Sequence, residues 1–327
     1  MNVLVVGGAG YVGSHVARCL DRAGHAVWVY DNLSAGHREA SMPDRLIVGE
    51  IADRESLSAV LREHAIEAVL HFAGYCYVGE SVEQPAKYYQ NNVVGTLSLL
   101  DALRDAGVSR LVFSSTTAVY GVPERLPITE TTLLAPINPY GFTKRVIEGA
   151  LADYAHAYGL GSIALRYFNA TGASRDGDLG EDHDPETHLI PLVLQVALGQ
   201  REKITIFGDD YPTQDGTCVR DYIHVDDLAD AHLKALDAVE PGVFDAINLG
   251  SEQGASVRQV VDACREVSGR EIAVEIGPLR PGDPAELIAD ATRARKELNW
   301  HPQFTDIRAT IETAWRWHRD HPNGYRS

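Results

Sequence analysis

The 327-residue chain carries 46 acidic against 29 basic residues, a formal net charge of −17, which argues against a nucleic-acid partner but leaves room for a small phosphorylated ligand held by local backbone dipoles. Hydrophobic residues make up 45% of the chain, an ordinary globular composition, and no apolar run approaches the roughly 18 residues of a membrane span, so no membrane partner is expected. The four cysteines, Cys19, Cys76, Cys218 and Cys264, lie far apart without a Cys-x-x-Cys pair, which fits a reducing, cytoplasmic setting and no disulfide framework.

Asn2 to Val6 reads as a buried strand rather than a signal peptide. Gly7 to Gly13 is glycine-rich, a helix is predicted from about Tyr11 to Ala23, and Ala26 to Tyr30 forms a second strand ending at Asp31. Strand at Arg45 to Val48, helix at Glu55 to His64, strand at Ala68 to Phe72, a helix from about Gln84 to Ala106 and strand at Arg110 to Ser114 follow. Another helix starts near Asn138, and Ser162 to Tyr167 is strand. Alternating strands and helices predict an α/β fold, a doubly wound parallel sheet of the Rossmann type. After Asn169 the rhythm changes. Residues 170–188 look like loop, and 170–327 is expected to form a smaller α+β substrate-binding domain on the NAD-binding domain of residues 1–169, with about 224–250 returning to the main sheet.

Three constellations carry chemistry. Gly7, Gly8, Gly10 and Gly13 sit between strand and helix, where glycine permits a tight turn and close approach of a pyrophosphate to a helix N-terminus. Asp31 ends the next strand, where a carboxylate can bind ribose hydroxyls and would repel a 2′-phosphate, so NAD is favoured over NADP. In the second, Asn138 suits an N-cap and Pro139 the first helical turn. Tyr140 and Lys144 then share one helix face, placing a phenol beside an ammonium, while Phe142, Val146, Ile147, Ala150, Leu151 and Tyr154 are expected to form one buried stripe. In the third, Thr116 ends a parallel strand, the edge at which ligands gather in such sheets. His183 and His188, flanked by Asp182, Asp184 and Glu186, lie in predicted loop without a standard zinc spacing, and no metal is expected there.

On these residues the sequence resembles the extended short-chain dehydrogenase/reductase superfamily, and within it the UDP-glucose (UDP-galactose) 4-epimerase family. The matching stretches are Gly7–His15, Asp31-Asn32, His71–Gly74, Val78–Ser81, Tyr88–Gly95, Phe113–Gly121, Tyr140-x-x-x-Lys144, Leu165–Asn169, Tyr211–Val225 and His321–Tyr325. The resemblance implies inversion at C4 of a UDP-sugar, UDP-galactose to UDP-glucose, through a transient 4-keto sugar. Tyr140 is the base, Lys144 together with the positive nicotinamide keeps it ionised, and Thr116 bridges the sugar O4 and the tyrosine. It implies NAD bound by Gly7, Gly10, Tyr11, Val12, Gly13, Asp31, Asn32, Glu50, Ile51, Phe72, Ala73, Gly74, Asn91, Tyr140, Lys144 and Tyr167. Arg220 and Arg280 suit the diphosphate and Asp283 a uridine ribose hydroxyl; Asn169, Leu189, Thr205 and Phe207 are added by resemblance. A homodimer is implied through helices at about 84–106 and 139–157.

Three positions depart from the family pattern. Glu50 replaces an aspartate near the adenine. Cys76 replaces a lysine that reaches the cofactor, so weaker NAD retention is expected. Leu287 replaces a tyrosine beside the sugar C2, as in forms that accept UDP-GlcNAc. Thr117 and Ala118 after Thr116 argue against a 4,6-dehydratase, which needs an acid/base pair there. A UDP-pentose 4-epimerase would keep every named residue, and a non-catalytic NAD-binding sensor would not need Tyr140, Lys144 and Thr116 together.

Overall fold

The computed structural model describes residues 1–280 and 283–325. The first half alternates as predicted: β1 (Asn2–Val6), α1 (Tyr11–Arg22), β2 (Ala26–Asp31), β3 (Leu46–Val48), α2 (Arg54–Glu63), β4 (Ala68–His71), α3 (Val78–Glu83), α4 (Pro85–Tyr88), α5 (Gly95–Ala106), β5 (Arg110–Ser114), α6 (Pro139–Tyr158) and β6 (Gly161–Arg166). The second half adds β7 (Asn169–Thr171), α7 (Leu189–Ala197), β8 (Ile204–Phe207), β9 (Val219–Arg220), β10 (Tyr222–His224), α8 (Val225–Ala238), β11 (Phe244–Asn248), β12 (Ala255–Ser256), α9 (Val257–Ser268), β13 (Val274–Gly277), β14 (Glu286–Leu287), α10 (Thr292–Glu297) and α11 (Ile307–Asp320).

The main sheet has seven strands in the order β11-β6-β5-β4-β1-β2-β3, all parallel. Its strands are apolar on both faces because helices cover both. Val3 and Val5 enter one buried cluster with residues of α1 and α8, while Leu4 and Val6 enter another with residues of α2, α5 and α6. Phe244–Asn248 pairs with β6, so the chain returns to the main sheet after β7–β10. Smaller pairings join β7 to β10, β13 to β8, and β9 to both β12 and β14. A third apolar cluster, including Ile190, Val193, Val260 and Ile311, forms among α7, β8, α9 and α11. No helix among the described residues is long and apolar enough to cross a membrane.

One expectation is refined and one is corrected. The helix predicted from about Gln84 to Ala106 runs without interruption from Pro85 to Ala106, as α4, a π-helical turn at Tyr89–Val94 and α5, with a separate short helix before it at Val78–Glu83. Pro85 lacks an N–H and forces its neighbour Gln84 out of helical geometry, to φ −128°. The stripe expected on α6 also differs, because Phe142 is 43% exposed. The inward face is instead Thr143, Lys144, Ile147, Glu148, Leu151 and Ala155. Polar residues occupy core positions there, so an apolar pattern could not find that face.

Candidate active site

The glycine loop forms a cradle open on one side. Gly7 has φ +82°, and a Cβ there would lie 2.4 Å from Ala73 N. One on Gly13 would lie 2.2 Å from Gly7 O, so helix and loop touch at backbone distance. On Gly10 the nearest atom would be 3.4 Å away, which leaves its outer side free for a pyrophosphate. Asp31 closes one end: its carboxylate accepts from Ala9 N at 2.9 Å and Leu33 N at 2.8 Å. Burial raises its pKa, and those two N–H bonds oppose the shift. Asn32 donates to Glu50 at 3.0 Å, so the longer acid still reaches this edge. Val12 and Phe72 pack against the first core cluster and Ala73 against the second, and Ile51 touches Gly95 at the start of α5. The donor set, fixed dipoles and a carboxylate at the strand end, fits an NAD-type dinucleotide.

Tyr11 faces the other way. Its hydroxyl donates to Gly172 O at 2.7 Å, tying the cradle to the loop after β7. Asn91 lies in the π-helical turn and donates to Asn92 Oδ1 at 2.9 Å. Asn92, which sequence reasoning missed, is 1% exposed and bonds both the N–H and C=O of Tyr75, fixing the segment that carries Gly74 and Cys76. The π turn, a recurrent device at functional sites, swings this amide inward.

Tyr140, Lys144 and Thr116 meet where β5 ends. Asn138 caps α6 by accepting from Gly141 N at 2.8 Å. A Cβ on Gly141 would lie 2.6 Å from Ala118 O, so glycine lets α6 press against the turn after Thr116. Thr116 Oγ1 accepts from Ala118 N at 3.1 Å, which leaves its O–H free to donate. Lys144 Nζ donates to Ser114 O at 2.8 Å and lies 6.0 Å from the centre of the Tyr140 ring. Ser114 Oγ and Tyr167 OH share a 2.6 Å hydrogen bond beside it.

The expectation is that Lys144 acts together with the positive nicotinamide to keep the phenol ionised. In the chain alone burial dominates: it raises the Tyr140 pKa, Cys76 adds to the rise, and Thr116 opposes it. Burial also pushes Lys144 down to about 8, against the pull of Cys76 and Glu148. The phenol is therefore neutral without a further positive charge. Behind this group, Arg166 pairs with Glu148 at 2.9 and 2.6 Å, Ser115 donates to Glu148 at 2.6 Å, and Arg166 donates to Tyr120 at 2.8 Å. This network locks α6 to β5 and β6, and no sequence motif announced it.

The expected nucleotide end is gathered around Tyr211. Arg220 pairs with Asp283, and Arg280 stacks over Phe207 at 4.1 Å. Fields from Asp283, Arg220 and Arg280 all reach the Tyr211 phenol, whose buried oxygen has no hydrogen-bond partner among the described residues. Tyr211 stood in the quoted motif but was not singled out; its unpaired buried hydroxyl is the sign that marks it. Asn169 donates to Asp221 O at 2.9 Å, Thr205 lies on β8, and Leu189 begins α7. Leu287 packs against the small cluster of Val119, Tyr120 and Ile128, which includes the turn that Thr116 caps. Cys76 is exposed, yet it lies close enough that a thiolate there would act on Tyr140, Lys144 and Tyr167.

The loop where no metal was expected differs in composition from that expectation. Glu181, His183, Glu186 and His188 converge, while Asp182 and Asp184 are not part of the group. Burial would lower the pKa of either imidazole, but Glu181 and Glu186 outweigh it and raise both.

Residues 3–250 match the NAD dependent epimerase/dehydratase family. A UDP-glucose 4-epimerase of Corynebacterium glutamicum is 54% identical over 316 residues, 96% of this chain and 95% of that protein. A solved UDP-glucose 4-epimerase from Brucella ovis in complex with NAD superposes with a TM-score of 0.93 at 51% identity, covering 96% of this chain and 97% of that one. Another, from Bifidobacterium longum in complex with NAD+ and UDP, gives 0.94 at 38% identity, covering 99% and 100%. The chain therefore belongs to the NAD-dependent epimerase/dehydratase family, and these relatives within it are UDP-glucose 4-epimerases.

Proposed function

We propose that this chain is an isomerase that interconverts UDP-galactose and UDP-glucose by NAD-dependent inversion at C4 through a transient 4-keto sugar. The observation that carries the reading is the convergence of Tyr140, Lys144 and Thr116 at the carboxyl end of β5, on the sheet edge that also holds the glycine cradle. NAD, when bound, supplies a reversible hydride acceptor for C4. Tyr140 takes the proton from the sugar 4-hydroxyl and returns it. Thr116 bridges O4 and the tyrosine, since its oxygen accepts from Ala118 N with one lone pair and keeps a second lone pair and its O–H for the two. Lys144, anchored on Ser114 O, holds the nicotinamide ribose. Its ammonium and the cationic nicotinamide together offset the burial that otherwise keeps Tyr140 neutral. Arg220 and Arg280 bind the diphosphate, with Asp283 released from Arg220 to take a ribose hydroxyl. Asn169, Leu189, Thr205 and Phe207 line this end, so residues 170–327, apart from about 224–250, hold the nucleotide-sugar.

One observation favours a wider sugar range. Leu287 sits against the turn that Thr116 caps, where a smaller side chain leaves room at C2 for an N-acetyl group. UDP-GlcNAc is the second substrate we infer. Exposed Tyr89 and Phe142, whose rings lie 6.4 Å apart, together with Val94 and Leu97 at 42% and 38% exposure, support a homodimer through these helices.

The test is incubation of the purified chain with UDP-galactose and chromatography of the products. UDP-glucose should accumulate to a fixed ratio reached from either side. Its absence overturns the reading, and absence of UDP-GalNAc from UDP-GlcNAc at high enzyme concentration removes the second substrate.

A further inference from the structure

Glu181, His183, Glu186 and His188 place one ligand atom each so that all lie within 4.8 Å of one another. His188 Nδ1 is 2.9 Å from Glu181 Oε1 and 3.0 Å from Glu186 Oε1. His183 Nδ1 is 3.3 Å from Glu181 Oε1 and 3.6 Å from Glu186 Oε2. In a tetrahedral zinc site with N and O ligands at about 2.0–2.1 Å, neighbouring ligand atoms are about 3.3 Å apart. The three separations that share one atom per residue, through Glu181 Oε1 and Glu186 Oε1, run from 2.9 to 3.3 Å, up to that edge length, while His183 lies nearest Glu186 through its other oxygen.

Hydrogen bonding accounts for part of the arrangement: Glu186 Oε1 accepts from Thr187 N at 2.7 Å and His188 N at 2.8 Å and lies 3.0 Å from His188 Nδ1. Each imidazole turns its Nδ1 toward both carboxylates, yet one N–H can donate fully to only one. His183 Nδ1 is buried and, among the described residues, has no hydrogen-bond partner of regular geometry. The carboxylates are deep, with Glu181 4% and Glu186 7% exposed on their side chains, and buried charge requires a counter-charge at close range, which two imidazolium rings or one divalent ion between the four groups would supply. Two nitrogens with two oxygens select a borderline transition metal over calcium or magnesium, which take all-oxygen shells.

We propose that Glu181, His183, Glu186 and His188 form a four-coordinate site for one divalent transition-metal ion of the zinc class. The protein supplies four ligands, so the site is closed and its role is structural. It pins residues 181–188 directly before α7. The His183 ring lies edge-on to Tyr11 and to Tyr77, each at 6.2 Å between centroids, so the ion braces the face of the cradle from which Tyr11 reaches Gly172.

The experiment uses the untagged full-length chain, dialysed against a chelator and titrated with Co2+ and then Zn2+. One equivalent should bind. The Co2+ form should show the intense visible absorption of tetrahedral cobalt, bleached on adding Zn2+. At a hundredfold excess over its dissociation constant, Zn2+ should raise the melting temperature by roughly 5 °C. His183→Gln and Glu186→Gln should each weaken binding at least about 100-fold, while His156→Gln, an exposed position on α6, should change nothing. No stoichiometric binding by the wild-type chain at micromolar Zn2+ overturns the proposal, as does a weak six-coordinate cobalt spectrum or undiminished binding in both ligand variants. The wild-type titration decides even if a variant fails to fold.

Discussion

Lys144 and Glu148 lie one turn apart on α6, both buried, and they meet opposite fates. Glu148 is met on two sides by Arg166 and by Ser115, and Arg166 is satisfied in turn by Tyr120. Burial works against the charge on Arg166, and Glu148 more than offsets it. Lys144 has one backbone carbonyl and an aromatic ring at 4.7 Å, and burial lowers its pKa to about 8. Its neighbour Tyr140 is driven toward the neutral form. A completed pair is scaffold, because nothing further is needed to stabilise it. An incomplete pair a turn away is chemistry, because a positively charged ligand arriving there changes its protonation.

The largest effect should come from breaking the incomplete pair at its base. Tyr140→Phe removes the proton acceptor while keeping the ring, and should lower kcat about 100- to 10,000-fold in conversion of UDP-galactose, with the melting temperature little changed. Equal product from the variant would reject Tyr140 as the base. Next comes the completed pair. Arg166→Met leaves a carboxylate 3% exposed without its cation, and should cost about 3–5 kcal/mol in urea unfolding. Changing both residues, Glu148→Gln with Arg166→Met, should recover most of that loss; if it does not, the pair is not the self-contained unit the comparison makes it.

A pH series sharpens the same contrast. Lys144 has its folded pKa depressed to about 8 from 10.5. Between those values the unfolded chain binds the proton and the folded chain does not, so stability gains with rising pH, by at most about 1.4 kcal/mol per unit. Below about pH 8 the full penalty of burying the ammonium is present. The NAD-free wild-type chain should therefore gain stability relative to Lys144→Met from pH 8 to 10, measured by urea midpoints. Parallel curves would mean the lysine is not strained.

Much of this was legible in the residues. Asn138, Pro139 and the four-residue spacing placed Tyr140 and Lys144 correctly, because capping and helical period are local rules. The glycine cradle and Asp31 were legible for the same reason. The Glu148–Arg166 pair was not, since its partners are 18 residues apart on different elements and neither belongs to a motif. Nor was the inward face of α6, where Lys144 and Glu148 occupy positions an apolar stripe would claim. The 181–188 cluster escaped because its spacing matches no standard zinc pattern; Glu181, the most buried member, lies outside the residues that flanked the histidines.

The smallest effect concerns Cys76, the residue that stands near the incomplete pair without completing it. The side chain is exposed, and it brings no positive charge to Tyr140; only as a thiolate would it act on the phenol, in the direction that disfavours phenolate. An ammonium at that position would act with the opposite sign on Tyr140 and would add a charge-assisted contact to a bound dinucleotide phosphate or ribose. Cys76→Lys should therefore do two things at once. It should tighten NAD about tenfold, equivalent to about 1.4 kcal/mol, seen as stoichiometric cofactor surviving dialysis that strips the wild-type chain. It should also move the acid limb of the kcat profile to lower pH, because the base is easier to ionise. Retention of full NAD by the wild-type chain through the same dialysis would show that the cradle and Asp31 alone suffice. A shifted pH limb without tighter NAD would place the side chain near the phenol but out of reach of the cofactor.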